Sequence, residues 1–432
     1  MRRHQLGAVA LLMFSACTSQ VADPAPITTA PSTTEIETTA APPPTTTATS
    51  SLEAPRTQAE ALHDSLSLLK VNDQVRVGLV AHRASTLPEG RTIDIIDSAA
   101  DLELVRIFTP EHGLTGTADA GQAVDDDVEP ITGVPIRSLY GQTREPAPAD
   151  LADLDVVVYD LQDVGVRAYT YIATMGIMMD AAHAAGIPFI VVDRANPQDG
   201  IVDGPQLRTG LESFISPYPI PTSYGLSSGE LARFLVGEGL IASVDLAVIE
   251  STEPPGEWIP PSPNLPTVET AWLYPAVVAF EATVLSEGRG TQEPFTLIGG
   301  PDVDTQAVLA SMGGRRLLGL DIVATEFTPE VIPGMATNPR YEGQKISGIH
   351  LSTGGPLAEP LRVTVELLDA FMDAAVDRTA IIDRPDVFDR LVGDPGVREA
   401  LLADARPADI AGDWVDDVTR FKQRSRPYRN SD

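Results

Sequence analysis

From residue 75 onward, short apolar runs alternate with stretches whose apolar positions recur every three or four residues. The runs at 75–81, 102–108, 154–159, 187–192 and 244–249 read as strands, and that at 154–159 is apolar but for Asp155 near its start, as suits a strand buried on both faces. Residues 92–100 have helical spacing, 171–185 form a helix stopped by Gly186, and Ser227-Ser228 with Glu230 cap a helix that runs to about Gly237. Strands separated by helices predict βαβ units and a doubly wound parallel sheet. No G-x-G-x-x-G follows a strand, so the expected fold is α/β: a Rossmann-like parallel-sheet N-terminal domain without the dinucleotide fingerprint. The composition changes at 253–266, EPPGEWIPPSPNLP, which marks the crossing into a smaller C-terminal α/β domain. There the pattern predicts a strand at 361–365 and a helix at 366–375. The expected catalytic domain is 61–252 and the C-terminal domain 253–432.

The start of the chain has a different character. Arg2 and Arg3 precede a short apolar run, 6–14, and small residues lead to Cys17, the chain's single cysteine. This is the anatomy of a secretory signal over residues 1–17, and the run is too short to span a bilayer. A lone cysteine in that position looks like a bacterial lipobox, in which Cys17 is lipidated; ordinary signal cleavage nearby is the alternative. Residues 18–60 are rich in Thr, Pro, Ala and Ser and nearly free of large apolar side chains, which predicts a disordered, extended linker. The expected location is therefore outside the cell, lipid-anchored to the outer face of the cytoplasmic membrane or else secreted, with the lipid as the only membrane contact. Acids outnumber bases by 31, which argues against nucleic acid as a partner.

The polar chemistry clusters where strands end. Glu111-His112-Gly113, Asp160 to Gly165 and Asp193 to Asn196 each follow an apolar run. In open α/β sheets ligands bind beyond the carboxyl ends of the strands, so the three loops are expected to converge on one cleft. Several carboxylates in one cleft suit glycoside hydrolysis, where one protonates the leaving oxygen and another serves the anomeric centre or activates water. Each residue also has a plainer role open to it. Glu111 could face solvent in a turn, His112 could orient a neighbour or be satisfied in the core, Asp160 could cap loop amides, and Asp163 beside Gly165 could form a turn. Arg167 could pair with Asp163 or Asp193, Asp193-Arg194 could form an internal salt bridge, and Glu287 with Arg289 could be a surface pair.

The segments FTPEHGLTGTADAG (108–121), TGVPIRSLYG (132–141), DVVVYDLQDVGVRAYTY (155–171), VVDRANPQDG (191–200), PIPTSYGLSSGELA (219–232), PPSPNLPT (260–267) and LSEGRGTQEPF (285–295) together resemble the exo-β-N-acetylmuramidase (NamZ) family over residues 75–425. The resemblance implies a glycoside hydrolase that removes N-acetylmuramic acid from the non-reducing ends of peptidoglycan fragments, with MurNAc-GlcNAc saccharides as partners and no metal or organic cofactor. It implies Glu111 as acid/base, His112 as a residue that orients it or touches the substrate, and Asp160 or Asp163 in the second carboxylate role. Arg167, Arg194 and Arg289 are candidates to grip the lactyl carboxylate, with Tyr169, Tyr171, Asn196 and Glu287 lining the site. The chain departs from the family pattern at His82, where Asn is usual, at Ala282-Thr283-Val284, where Gly-Thr-Asn is usual, and at Asp193-Arg-Ala195, which lacks the usual proline. Those departures leave a second reading open, a non-catalytic muropeptide-binding lipoprotein.

Overall fold

The computed structural model describes residues 57–70, 73–251, 256–313 and 319–430. The expected signal, Cys17 and most of the linker lie outside the described residues. Seven strands make the central sheet: β1 (Val75–Ala81), β2 (Leu102–Thr109), β3 (Asp127–Val128), β4 (Pro135–Ser138), β5 (Val156–Asp160), β6 (Phe189–Val192) and β7 (Leu246–Ile249). They lie in the order β7-β6-β5-β1-β2-β4-β3, parallel except for the β3–β4 pair. After β1 the chain moves one way across the sheet to β2 and β4, then returns to lay β5 on the other side of β1. That reversal is the switch point at which such sheets open a crevice.

The alternation of side chains across the strands divides the core. Val77, Leu79, Val156, Val158, Ile190 and Val192 face α1 (Gln58–Ser67) and α2 (Thr92–Ser98). Val80, Val157, Tyr159 and Val191 face the opposite layer, where α3 (Tyr171–Ala185) and α4 (Ser228–Gly237) pack. The α3 terminus follows the expected rule, since Gly186 has φ +70° and caps the helix in the left-handed conformation. Ser227 caps α4 through Glu230 N–H, and Glu230 answers to the Ser227 N–H.

The second half is built on α5 (Val268–Val277), a three-stranded antiparallel sheet and a group of helices. Strands β8 (Leu297–Gly300), β9 (Asp321–Phe327) and β10 (Ile346–Ser352) lie in the order β8-β10-β9, beside α6 (Thr305–Ser311) and α7 (Pro360–Ala374). Four further described α-helices complete the chain between Pro385 and Ser425. This half packs onto the first through one continuous apolar core that runs from Phe108 and Tyr171 to Leu368 and Phe421. Asp203 fastens the join by accepting the Leu361 N–H at 2.8 Å and the Trp414 indole N–H at 2.9 Å.

Two boundaries differ from the pattern-based expectation. Residues 361–365 are helical, because Pro360 starts α7 and Leu361, Thr364, Val365 and Leu368 recur on its buried face. Residues 58–60 belong to α1, which a Thr57–Glu60 capping box nucleates inside the expected linker.

Candidate active site

The turn after β2 builds the first wall. Gly113 N–H closes onto the Pro110 carbonyl at 3.0 Å, and both His112 and Gly113 take φ +71°. A histidine in the left-handed region is strained unless its surroundings hold it there. Here the hold is double: the ring Nδ1 lies 2.7 Å from the Ala118 carbonyl, and the His112 carbonyl accepts the Ala118 N–H. Because a carbonyl only accepts, Nδ1 carries the proton and Nε2 keeps the lone pair. Burial holds the imidazole below its ordinary pKa against the opposing charge of Glu111, so the ring is neutral at pH 7. His112 thus fixes the loop that returns Gly121 to Glu111.

Glu111 is 8 % exposed, and both of its oxygens are engaged. Oε1 accepts the Gly121 N–H at 2.6 Å and Oε2 accepts the Thr170 hydroxyl at 2.8 Å. Thr170 is the residue before α3, so the helix entry is aimed at the carboxylate. No ion pair reaches Glu111 among the described residues. The Tyr140 phenol is pushed up to about 12 by burial and then by the negative charge of Glu111 beside it.

Glu111 opens onto a cavity of about 250 Å³ that both halves of the chain enclose. The N-terminal half supplies Glu111, His112, Tyr140, Tyr169 and Thr170; the C-terminal half supplies Asn264, Tyr274, Glu281, Arg289 and Phe295. Glu281 is the second carboxylate in this cavity. It rides on the 3-10 turn Val278–Ala282 that extends α5. Arg289 meets Glu281 Oε1 at 2.6 Å and Glu287 Oε1 at 3.5 Å, with its guanidinium 5.2 Å over the Phe295 ring. Burial raises the Glu281 carboxyl above its ordinary value, and the Arg289 charge pulls the other way.

The other expected site residues are placed differently. Asp160 is fully buried, bonded to the Thr92 hydroxyl and paired with Arg194 Nε at 2.5 Å. Asp163 is buried against the Tyr224 hydroxyl, and burial pushes its carboxyl up to about 6. Neither lines the Glu111 cavity. Arg167 has no exposure and, among the described residues, pairs with no carboxylate. It donates to the carbonyls of Pro205, Ile220, Leu391 and Val392, and burial lowers its pKa to about 9. It joins the two halves and lines neither the Glu111 cavity nor the cleft of Arg194 and Asn196. Tyr171 is buried beneath Tyr169, ring centroids 4.6 Å apart, and donates to the Pro261 carbonyl at 2.8 Å. Glu287 stands behind Arg289.

Arg194 and Asn196 line a separate, larger cleft of about 680 Å³ beyond β1, β5 and β6, walled by Leu87, Trp258 and Trp272. The three strand-end loops therefore feed two cavities. Segment 256–265 gives Trp258 and Ile259 to the larger and Ser262, Asn264 and Leu265 to the smaller. Asn196 is also a loop brace: it donates to the Leu226 carbonyl at 2.7 Å and packs so close to Gly165 that a Cβ there would lie 2.5 Å from it. Of the positions that depart from the family pattern, His82 is buried with its ring edge-on to Tyr171, and burial lowers it to about 3. Val284 packs against the apolar core and does not line the Glu111 cavity.

Comparison with known proteins decides the family. The model described as "Exo-beta-N-acetylmuramidase NamZ, N-terminal" matches residues 77–269, and its C-terminal counterpart matches 272–430. The chain belongs to the NamZ family. A Bacillus subtilis relative, peptidoglycan beta-N-acetylmuramidase NamZ, is 34 % identical over 367 residues, which is 82 % of this chain and 86 % of that one. A crystal structure of a DUF1343 family protein from Bacteroides fragilis superposes with a TM-score of 0.76 at 29 % identity, covering 87 % of this chain and 98 % of the other. A second from the same organism gives 0.70 at 31 % identity, covering 86 % and 97 %. The two NamZ models meet at residues 269–272, inside the start of α5, and the Glu111 cavity takes residues from both. Tyr140, Thr170, Asn264, Tyr274, Glu281 and Phe295 are among the cavity residues that sequence reading missed. The available signal for Glu281 was a lone carboxylate in the apolar stretch 271–285.

Proposed function

We propose that this chain is an exo-acting β-N-acetylmuramidase, a glycoside hydrolase that releases N-acetylmuramic acid from the non-reducing ends of peptidoglycan fragments. The observation that carries this reading is the pair of carboxylates, Glu111 and Glu281, in one small cavity, on a chain of the NamZ family. Glycoside hydrolysis needs two carboxyl groups in unlike states. Glu281 has a guanidinium against it and works as the carboxylate, stabilising positive charge at the anomeric carbon or attacking it. Glu111 has hydroxyl and amide partners but no cation, and is the group that lends a proton to the leaving oxygen and takes it back from water. A cavity closed by Tyr274, Phe295 and Leu265 has room for one substituted sugar ring and not for a run of them, which supports action at chain ends.

The two carboxylates also favour turnover over a binding-only role, since carbohydrate binding alone does not need two carboxylates facing one small cavity. On the N-terminal sequence we further propose export, with Cys17 as the lipidated anchor and the linker as a tether to the wall. The test of the activity is incubation of the purified protein with MurNAc-GlcNAc and with GlcNAc-MurNAc, followed by mass spectrometry. Free N-acetylmuramic acid is expected from the first only. Release of equal amounts of sugar from both, or from neither, contradicts the reading.

A further inference from the structure

The proposed substrate carries a carboxylate, and the cavity that would receive it is acidic. Glu111 and Glu281 line it, Glu287 stands behind Arg289, and the whole chain carries 31 more acids than bases. An anionic sugar therefore needs a cation that is not already neutralised. The three arginines expected in that role are spoken for: Arg167 by backbone carbonyls in the core, Arg194 by Asp160 at the other cleft, and Arg289 by Glu281 and Glu287.

Arg144 remains. Its side chain is exposed and makes no ion pair among the described residues. The guanidinium lies 4.1 Å over the Phe214 ring and 4.9 Å over the Tyr140 ring. Tyr140 and Ile215, the neighbour of Phe214, line the cavity, while Arg144 and Phe214 stand just outside that lining, stacked against Tyr140. Two aromatic faces hold the guanidinium in place by cation–π attraction, and the Tyr140 hydroxyl engages only part of its hydrogen-bonding edge, which has five N–H donors. That edge is a planar fork of donors matched to a carboxylate. We propose that Arg144 is the specificity-determining residue of this site, binding the carboxylate of the sugar's lactyl substituent and distinguishing N-acetylmuramic acid from N-acetylglucosamine. The inference rests on the muramidase reading and goes beyond it by naming the group that reads the substrate's charge.

The experiment is calorimetric titration of the full-length protein with N-acetylmuramic acid and with N-acetylglucosamine, using wild type, Arg144→Ala and Arg144→Lys, alongside hydrolysis of MurNAc-GlcNAc. Loss of one charge-assisted contact predicts that Arg144→Ala weakens N-acetylmuramic acid by about 10- to 100-fold and leaves N-acetylglucosamine within about 2-fold. Arg144→Lys should recover part of the preference, and high salt should reduce it in wild type. Arg144 is exposed, so an unchanged melting temperature is expected. If Arg144→Ala keeps the wild-type preference, the inference is overturned, while hydrolysis by wild type leaves the muramidase reading standing. If wild type neither cleaves the disaccharide nor prefers the acidic sugar, both fall.

Discussion

Thr170 Oγ1 donates to Glu111 Oε2 at 2.8 Å, from the residue that leads into α3. The contact ties the proposed acid/base to the start of a helix whose next side chain, Tyr171, is locked to the Pro261 carbonyl. Position of the carboxyl group is thus set by the join between the two halves. Thr170→Val keeps the shape and removes the donor. Its expected effect is a fall of about 10- to 100-fold in kcat/KM on MurNAc-GlcNAc with little change in melting temperature, from loss of the hydrogen bond that positions the carboxyl group. Unchanged kinetics would show that Thr170 does not position Glu111.

Glu281 is proposed to act ionised, so the acid limb of the pH–rate profile reports its titration. Burial sets that limb above the ordinary glutamate value, and Arg289 opposes the rise. Arg289→Met removes the opposing charge, so the limb should move to higher pH. Profiles of kcat/KM between pH 4 and 8 check this; a limb that stays in place or moves down contradicts the role given to Glu281.

Asp163 was a candidate for catalysis from its loop, and its burial against Tyr224 makes a different prediction. A folded-state value of about 6, against about 3.9 in an unfolded chain, means the folded protein binds the extra proton between those pH values. Stability contributed by this group is therefore greatest at low pH, falls as pH rises from about 4 to 6, and stays reduced above that by on the order of 2–3 kcal/mol. Asp163→Asn, which has no charge to bury, should lack this loss while keeping kcat within a few-fold. Parallel wild-type and variant curves of melting temperature against pH would contradict it.

Arg167 bridges segment 205–222 and the Leu391–Val392 carbonyls. Arg167→Met leaves buried carbonyls without donors and should destabilise by about 3–5 kcal/mol in denaturant unfolding, with kcat of the folded fraction near wild type. A selective rise in KM at unchanged stability would instead return Arg167 to the substrate site.

Much of the fold was legible because local signals and tertiary packing agree. The uninterrupted apolar run at β5, the Ser227–Glu230 cap and Gly186 after α3 each act within a few residues. Glu111 and His112 were legible as a polar pair at a strand end. What failed depended on contacts distant in sequence. Which strand-end loops share a cavity is set by sheet order and by segment 256–265, which contributes to both cavities. Asp160 and Arg194 end neighbouring strands and neutralise each other, which only the pairing of β5 with β6 decides. Glu281 comes into the cavity from a turn after α5, with no local motif that announces it. Residues 361–365 are rich in β-branched side chains, but a proline start and a buried face of helical period outweigh that propensity.

The most direct test of the central claim is the rate at which Glu111→Gln releases N-acetylmuramic acid from MurNAc-GlcNAc, measured beside wild type. The amide keeps the size and the Thr170 contact but cannot exchange a proton, so the rate should fall by about 10²- to 10⁴-fold while substrate binding persists. Turnover within a few-fold of wild type would contradict the assignment of Glu111 as the acid/base and, with it, the placement of the reaction in this cavity.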